Sequence, residues 1–166
     1  MSEIASQDIH QHLIATLERH QAHFRVVEHV ASGKCEAVSE IRGTALGQGA
    51  KALVCKIKGN GVKLHVLAIL AADLQADLAQ LAAFFGGSKA SLASPAEVET
   101  LTACVFGAIP PFSFHPDLRL VADPLLFDRF DEIAFNAGLL EKSIILNAGD
   151  YLRIARPELV NFHRVA

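Results

Sequence analysis

The 166-residue chain has no tryptophan, one methionine and three widely spaced cysteines. Cys35, Cys55 and Cys104 form no C-x-x-C pair, and an odd number of thiols is typical of reduced cysteines rather than of a disulfide framework. No apolar run reaches the roughly 18 residues of a membrane span. The first residues, "MSEIASQDIHQHL", are acidic and polar, unlike a signal peptide. We therefore expect a cytoplasmic protein without a membrane partner.

The chain also lacks a large surplus of either positive or negative charge, because its formal net charge is only -3. Proteins that hold nucleic acid mainly by electrostatics carry a basic surplus. The composition argues against that class, although it leaves open a protein that touches only the end of an RNA.

Common catalytic and cofactor motifs are missing as well. Gly33-Lys34 lacks the earlier glycine and the following Ser or Thr of a phosphate-binding loop, and the Gly47-Gln48-Gly49 stretch precedes a strand instead of following one. The eight histidines form no H-E-x-x-H motif, and no G-x-S-x-G elbow is present. We expect no metal and no cofactor. A cysteine nucleophile paired with a distant histidine stays open, although buried structural thiols are the better interpretation.

With 51% hydrophobic residues, the chain is long enough to bury a core. We predict one domain over residues 1–166, with an α+β (mixed α/β) fold in which helices flank a mixed, largely antiparallel, curved sheet. The predicted helices are an N-terminal helix with Ile9, Leu13 and Leu17 on one face, "CEAVSEIRG", a helix with Leu74, Leu78, Leu81 and Phe85 on one face, a helix capped by Ser94, a short helix after Asp123-Pro124, and "AGDYLRIA". The predicted strands are "HFRVVEH", "AKALVCKIK", "VKLHVLAIL", "LRLVAD", "EIAFNAG" and "KSIILN".

The strand "AKALVCKIK" carries a lysine in an unexpected place. Alternation puts Lys51 on the same face as Leu53, Cys55 and Ile57, which looks like core, whereas the face with Val54 looks solvated. Lysines at strand ends often extend along apolar surface to reach water. The alternative is that the Lys51 ammonium lies at the mouth of an apolar pocket and binds an anionic or carbonyl-bearing ligand.

A second candidate is the apolar loop "VFGAIPPFSFHP". Glycine allows a backbone to approach a ligand closely, and two prolines stiffen the chain that follows. The segment Gly107–Pro111 could therefore present N–H donors to a carbonyl group or an oxyanion. It could equally be a tight apolar turn packed on the core.

Taken together and in order, these segments resemble the YbaK/prolyl-tRNA synthetase-associated editing domains over about residues 23–154. The resemblance rests on "FRVVEH", "EAVSEIRG", "GAKALVCKIKG", "SLASPAEVETLT", a Gly-x-x-x-Pro loop, and "EIAFNAGLLEKSIILNAGDYLRI". It implies a freestanding deacylase, a hydrolase that cleaves the ester of mischarged aminoacyl-tRNA carrying a small amino acid such as alanine, serine or threonine.

The resemblance also implies roles for individual residues. Lys51 would be essential and would anchor the tRNA 3′-terminal nucleotide, and Gly107 would shape the pocket for the amino acid while water attacks the ester. The other residues that the resemblance places at the substrate are His29, Ala108, Ile109, Pro110, Pro111 and Ser143. Some family members carry a histidine near the position of Ser143, so the serine here is a departure.

The implied partner is the acceptor end of aminoacyl-tRNA, with a synthetase that delivers the substrate as a further alternative. A different class of function stays open: a catalytically silent module of the same fold that binds a nucleotide or a protein. The sequence indicates neither the cognate amino acid nor the oligomeric state.

Overall fold

The computed structural model describes residues 6–164, with the side chains of residues 6, 7, 35 and 36 excepted. Within that range the helices are α1 (Ser6–Arg19), α2 (Cys35–Arg42), α3 (Leu78–Phe84), α4 (Pro95–Thr102), α5 (Leu125–Asp128) and α6 (Ala148–Ala155). The strands are β1 (Phe24–Glu28), β2 (Ala50–Gly59), β3 (Val62–Ala71), β4 (Lys89–Leu92), β5 (Leu118–Ala122), β6 (Glu132–Leu139), β7 (Lys142–Asn147) and β8 (Glu158–Leu159). None of the helices in this part of the chain has the length and apolarity to cross a bilayer.

The strands form two open sheets rather than one. A three-stranded sheet has the order β1-β7-β6 and is antiparallel, and a five-stranded sheet has the order β4-β2-β3-β5-β8. In the larger sheet β5 runs parallel to both β3 and β8, whereas the other pairs are antiparallel. The predicted α+β class with a mixed, largely antiparallel arrangement is confirmed, and the division into two sheets is new.

The hairpin β2–β3 is the longest strand pair and was predicted from its turn. Asn60 and Gly61 form a two-residue loop in which both have positive φ, 54° and 81°. That is the backbone of a type I′ turn, whose twist matches the flanking strands. Register then runs from Gly59 opposite Val62 to Ala50 opposite Ala71. The turn therefore sets the position of Lys51, opposite Leu70 at the far end of the hairpin.

Helix α4 begins at the predicted cap. Ser94 Oγ accepts the Glu97 N–H at 3.2 Å, and Glu97 Oε1 accepts the Ser94 N–H at 3.1 Å. The same carboxylate contacts His65 and Lys56 on the sheet, and the hydrogen bond with His65, followed by that with Lys56, lowers the pKa of Glu97. Glu97 thus both caps the helix and ties it to β2 and β3.

The prediction that one face of β2 is solvated is wrong. Val54 is 4% exposed and belongs to the larger core between the two sheets, whereas Cys55 and Ile57 on the opposite face pack into a second core with Leu81 of α3. Two buried faces arise because the hairpin is central in its sheet and is covered on both sides. Lys58 alone among residues 54–58 is exposed.

Two further predictions differ from the structure. Leu74 lies in the turn after β3 and not in α3, because Asp77 caps that helix by accepting the Gln80 N–H at 3.1 Å. Strands β4 and β8 were not predicted. Both are short edge strands that depend on distant partners, β4 on β2 and β8 on β5.

Candidate active site

A cleft of about 130 Å³ opens where the two sheets meet. A parallel bridge between Gly49 and Ala134 joins them at this point. One wall is formed by Gly49 and residues 50–53 of β2, and the other by residues 134–136 of β6. The rim is formed by Phe106 and its loop together with parts of the segment 33–42. The cleft therefore combines chain segments that are more than 80 residues apart in sequence.

Lys51 lines this cleft and is half-buried. Its Nζ donates to the backbone carbonyl of Leu74 at 2.5 Å. Among the side chains that the structure describes, no carboxylate lies in ion-pair contact with the ammonium, whose observed partner is a neutral dipole. A partly buried cation held in this way is available to an incoming anion. The structure thus places the lysine at a cleft, as the second of the two sequence interpretations requires.

An ion pair lies next to the lysine. Arg129 donates two hydrogen bonds to the Asp73 carboxylate, each of 2.8 Å. The hydrogen bond from Arg129 lowers the pKa of Asp73, and the charge of Lys51 contributes further. Because Asp73 is already paired with Arg129, it offsets the charge of Lys51 only partly.

Gly107 lies at the rim of the cleft, in the predicted loop. Its φ is +91°, a region that side chains strongly disfavour. A Cβ atom there would lie 3.0 Å from the Cα of Gly33. In the described part of the chain, the N–H groups of Gly107 and Ile109 donate no hydrogen bond, and both residues line the cleft. They are therefore candidate donors to a ligand.

Three predicted site residues lie behind the cleft instead of on its wall. Ala108, Pro110 and Pro111 are buried, and none of them lines the cavity. The Ala108 carbonyl accepts the Gly138 N–H at 2.9 Å, and the Pro111 carbonyl accepts the Tyr151 hydroxyl at 2.7 Å. Their direct contact with substrate stays a prediction, and their position favours support of the loop.

His29 and Ser143 are brought together, but they also lie outside the cleft lining. The distance from His29 Nε2 to Ser143 Oγ is 2.7 Å, and Ser143 is fully buried. His29 Nδ1 lies 2.7 Å from the Val30 carbonyl, which favours a protonated Nδ1. The departure from the family pattern at Ser143 therefore concerns a residue one layer away from the cleft.

Two polar residues that the sequence analysis missed connect this layer to the cleft. Arg42 Nε donates to Ser143 Oγ at 2.8 Å, and Arg42 Nη2 donates to Asn136 Oδ1 at 3.0 Å. Asn136 Nδ2 in turn donates to the carbonyls of Ser32 and Gly107, at 2.7 and 2.8 Å. Asn136 is 6% exposed. The available signal was a lone amide within the apolar run "EIAFNAG".

The thiol alternative loses support in the structure. Cys55 and Cys104 are both buried, and burial raises the pKa of the Cys55 thiol to about 12 and that of Cys104 to about 11. At neutral pH both are protonated and poorly nucleophilic. Among the side chains that the structure describes there is also no group of three or more His, Cys, Asp or Glu that could hold a metal ion.

Comparison with known proteins agrees with this geometry. The model of the aminoacyl-tRNA editing domain family matches residues 29–154, which contain the whole cleft. The chain belongs to that family. The match lies within the 23–154 span of the sequence resemblance, which is confirmed. A relative in Escherichia coli strain K12, the Multifunctional Ser/Thr-tRNA deacylase ProXp-y, is 75% identical over 100% of both chains.

Solved structures of this editing fold are similar at low sequence identity. A candidate trans-editing enzyme for prolyl tRNA synthetase superposes with a TM-score of 0.78 at 22% identity, covering 95% of this chain and 98% of that one. A hypothetical protein superposes with a TM-score of 0.81 at 14% identity, covering 92% and 99%. These likenesses establish the fold.

Proposed function

We propose that this protein is a trans-acting aminoacyl-tRNA deacylase, a hydrolase that cleaves the ester between serine or threonine and the tRNA 3′ end. The observation that carries the proposal is the 75% identity, over the full length of both chains, to a Ser/Thr-tRNA deacylase. Because three quarters of the residues are identical and the match covers both chains in full, a shared substrate class is favoured. Within the small amino acids expected from the sequence, it favours serine and threonine over alanine.

The size of the cleft fits a small acyl group. Its volume of about 130 Å³ is well below the range of 300–1,000 Å³ typical of drug-sized ligand sites. The walls are mostly apolar, with Ala52 and Ala134 leaving space and Phe135 closing one side. Asn136 supplies a polar side chain on the same wall.

Lys51 is assigned the role of anchoring the terminal nucleotide through a phosphate oxygen. When substrate enters, the ammonium exchanges the Leu74 carbonyl for a charged acceptor, which makes a stronger hydrogen bond. Charge-assisted contacts in a partly buried cleft are also less screened than those at the surface. Lys51 therefore contributes both binding and position.

The loop of Gly107 and Ile109 is assigned to the acyl group. Their N–H groups are suited to receive the ester carbonyl and to stabilise the oxyanion that develops as water attacks. None of the described residues that line the cleft is Asp, Glu or His. Activation of the water by the neighbouring ribose hydroxyl of the substrate is consistent with that lining, and no protein general base is then required.

The expected setting is the cytoplasm, where charged tRNA is used, and the partner is the acceptor end of the tRNA. With a net charge of -3 the protein is expected to bind the rest of the tRNA weakly. Delivery of substrate by a synthetase is compatible with weak binding.

The test is ester hydrolysis by the purified protein on tRNAs charged with alanine, serine, threonine, cysteine or proline. We expect cleavage of the serine and threonine esters, and a loss of at least about 100-fold in kcat/KM for Lys51→Ala. Lys58→Ala is the matched control, since Lys58 is exposed on the same strand and distant from the cleft. A folded protein that cleaves none of the five esters would favour the silent binding module instead.

A further inference from the structure

A second cavity, of about 350 Å³, adjoins the cleft. It lies between β2, the start of α4 and the chain that leads into the Gly107 loop, and we call it the apolar pocket. Leu53, Phe106 and Ile109 line both cavities, so the two are adjacent. Leu92 and Val98 also line the apolar pocket.

The side chains at the rim of the apolar pocket are hydrophobic and yet largely exposed to solvent. Phe106 is 74% exposed, Val105 56% and Leu92 55%. All three side chains border the same cavity. Single exposed apolar residues are common on protein surfaces, but a cluster around one cavity indicates a binding site. An exposed aromatic ring beside a concave apolar surface is the arrangement on which nucleobases stack.

Only one charged side chain, Glu99, lines the apolar pocket in the described part of the chain. Glu99 is the only acidic residue among the described residues that line it, and none of them is a lysine, an arginine or a histidine. A phosphate is therefore disfavoured, because it would meet a carboxylate without a compensating cation. A flat, uncharged group that carries an N–H donor is favoured.

We propose that the apolar pocket holds the 3′-terminal adenine of the charged tRNA, an inference that rests on the proposed function. The ester joins the amino acid to the terminal ribose, and that ribose also carries the adenine. A base attached to a ribose at the cleft must therefore lie in an adjoining space. The apolar pocket adjoins the cleft through Leu53, Phe106 and Ile109.

The contacts follow from the chemistry of adenine. Its ring stacks on Phe106, its edge packs against the apolar wall, and its exocyclic amine donates to the Glu99 carboxylate. Lys51 then holds phosphate on the cleft side, so that the anionic and apolar parts of one nucleotide are separated between the two cavities. Every tRNA ends in adenosine, so this pocket adds affinity without distinguishing one tRNA from another.

The experiment uses synthetic acceptor-stem RNAs that carry a seryl ester and end in adenosine, inosine or an abasic ribose. For the wild-type protein, we expect kcat/KM to fall about 10- to 100-fold on the abasic substrate, mainly through KM. Phe106→Ala should produce a similar fall on the adenosine substrate and less than about a twofold change on the abasic one. Leu92→Ala should show the same pattern more weakly. Such dependence on the base distinguishes stacking from a structural role.

Inosine tests the polar contact, because it replaces the exocyclic amine with an oxygen that the Glu99 carboxylate repels. We expect Glu99→Gln to reduce the preference for adenosine over inosine, since an amide can donate to that oxygen. Phe84→Ala, which truncates an exposed ring that lines neither cavity, is the control and should behave as wild type.

The outcomes separate the two proposals. Equal hydrolysis of the adenosine and abasic substrates by the wild-type protein would overturn the assignment of the apolar pocket and leave the deacylase function standing. Failure to hydrolyse any seryl or threonyl substrate would overturn the proposed function and the pocket assignment with it.

Discussion

Gly33 and Gly107 pack backbone against backbone at the rim of the cleft. A Cβ atom on Gly107 would lie 3.0 Å from the Gly33 Cα and 3.1 Å from its carbonyl oxygen. Both residues line the cleft, and the contact joins the segment before α2 to the loop after α4. The absence of side chains at this contact lets two loops from distant parts of the chain form one edge of the site.

Gly107→Ala is therefore expected to displace this edge. The variant combines a positive φ with a close contact, so we predict a loss of about 1–3 kcal/mol in the free energy of unfolding and an altered ratio of kcat/KM among the alanine, serine and threonine esters. Chemical denaturation and the same panel of esters provide the measurements.

Gly61→Ala is the matched control for this prediction. Gly61 has a φ of +81° in the hairpin turn, but a Cβ there has no neighbour within 4 Å. It should lose stability through backbone strain alone and keep the wild-type order of substrates. If Gly107→Ala also kept that order, the loop would not contact the amino acid.

Asn136→Ala should weaken the edge of the cleft that Gly33 and Gly107 form, because Asn136 holds the Gly107 loop by a hydrogen bond. Its amide donates to the carbonyls of Ser32 and Gly107, so truncation leaves two carbonyl oxygens without their donor. We expect a loss of about 1–3 kcal/mol in unfolding free energy and at least about a tenfold fall in kcat/KM. Asn136→Asp keeps the shape of the side chain but directs a carboxylate oxygen at the carbonyls of Ser32 and Gly107. It should therefore be no more active than Asn136→Ala. Thermal melts and ester hydrolysis are the measurements, and wild-type turnover by Asn136→Ala would show that the network does not position the loop.

The two buried thiols should resist alkylation. With the pKa of Cys55 raised to about 12 and that of Cys104 to about 11, neither forms much thiolate at pH 8. Iodoacetamide followed by peptide mass spectrometry is expected to leave both unmodified in the folded protein and to modify both in denaturant. Rapid labelling of Cys55 under native conditions would contradict its buried position.

Asp150 gives a prediction for acid stability. Hydrogen bonds from the His23 backbone and imidazole lower the pKa of its carboxyl from 3.8 to about 2. A carboxyl whose pKa is lower in the folded state stabilises the fold above its unfolded pKa, and that contribution disappears as the pH falls from about 4 to about 2. Asp150→Asn should cost about 1 kcal/mol at pH 7 and flatten the pH dependence in this window. Urea unfolding at pH 2, 3, 4 and 7 would measure both effects, and an unchanged slope would exclude Asp150 as a cause.

Local signals in the sequence predicted the elements that depend on near neighbours. The Asn60-Gly61 turn and the Ser94–Glu97 capping box each contain their own partners within a few residues, and both are confirmed. The boundary of α3 was missed because Asp77, rather than the spacing of leucines, decides where that helix begins.

The candidate site could be predicted only in part, because some of its residues act through contacts with distant parts of the chain. Lys51 and Gly107 were identified, and the structure places both at one cleft. Arg42 and Asn136 were missed, since their roles depend on contacts across 94 residues of chain. A buried amide in an apolar strand indicates that a partner exists but not which one.

The bridge between Gly49 and Ala134 has a consequence for how selectivity can change. The cation belongs to the five-stranded sheet, and Asn136, which holds the Gly107 loop, belongs to the three-stranded sheet. Under the roles proposed for Lys51 and the Gly107 loop, substitutions in the smaller sheet would reshape the space for the acyl group while the anchoring of the nucleotide stays as it is. Selectivity for the acyl group and affinity for the nucleotide would then depend on different sheets and could change independently.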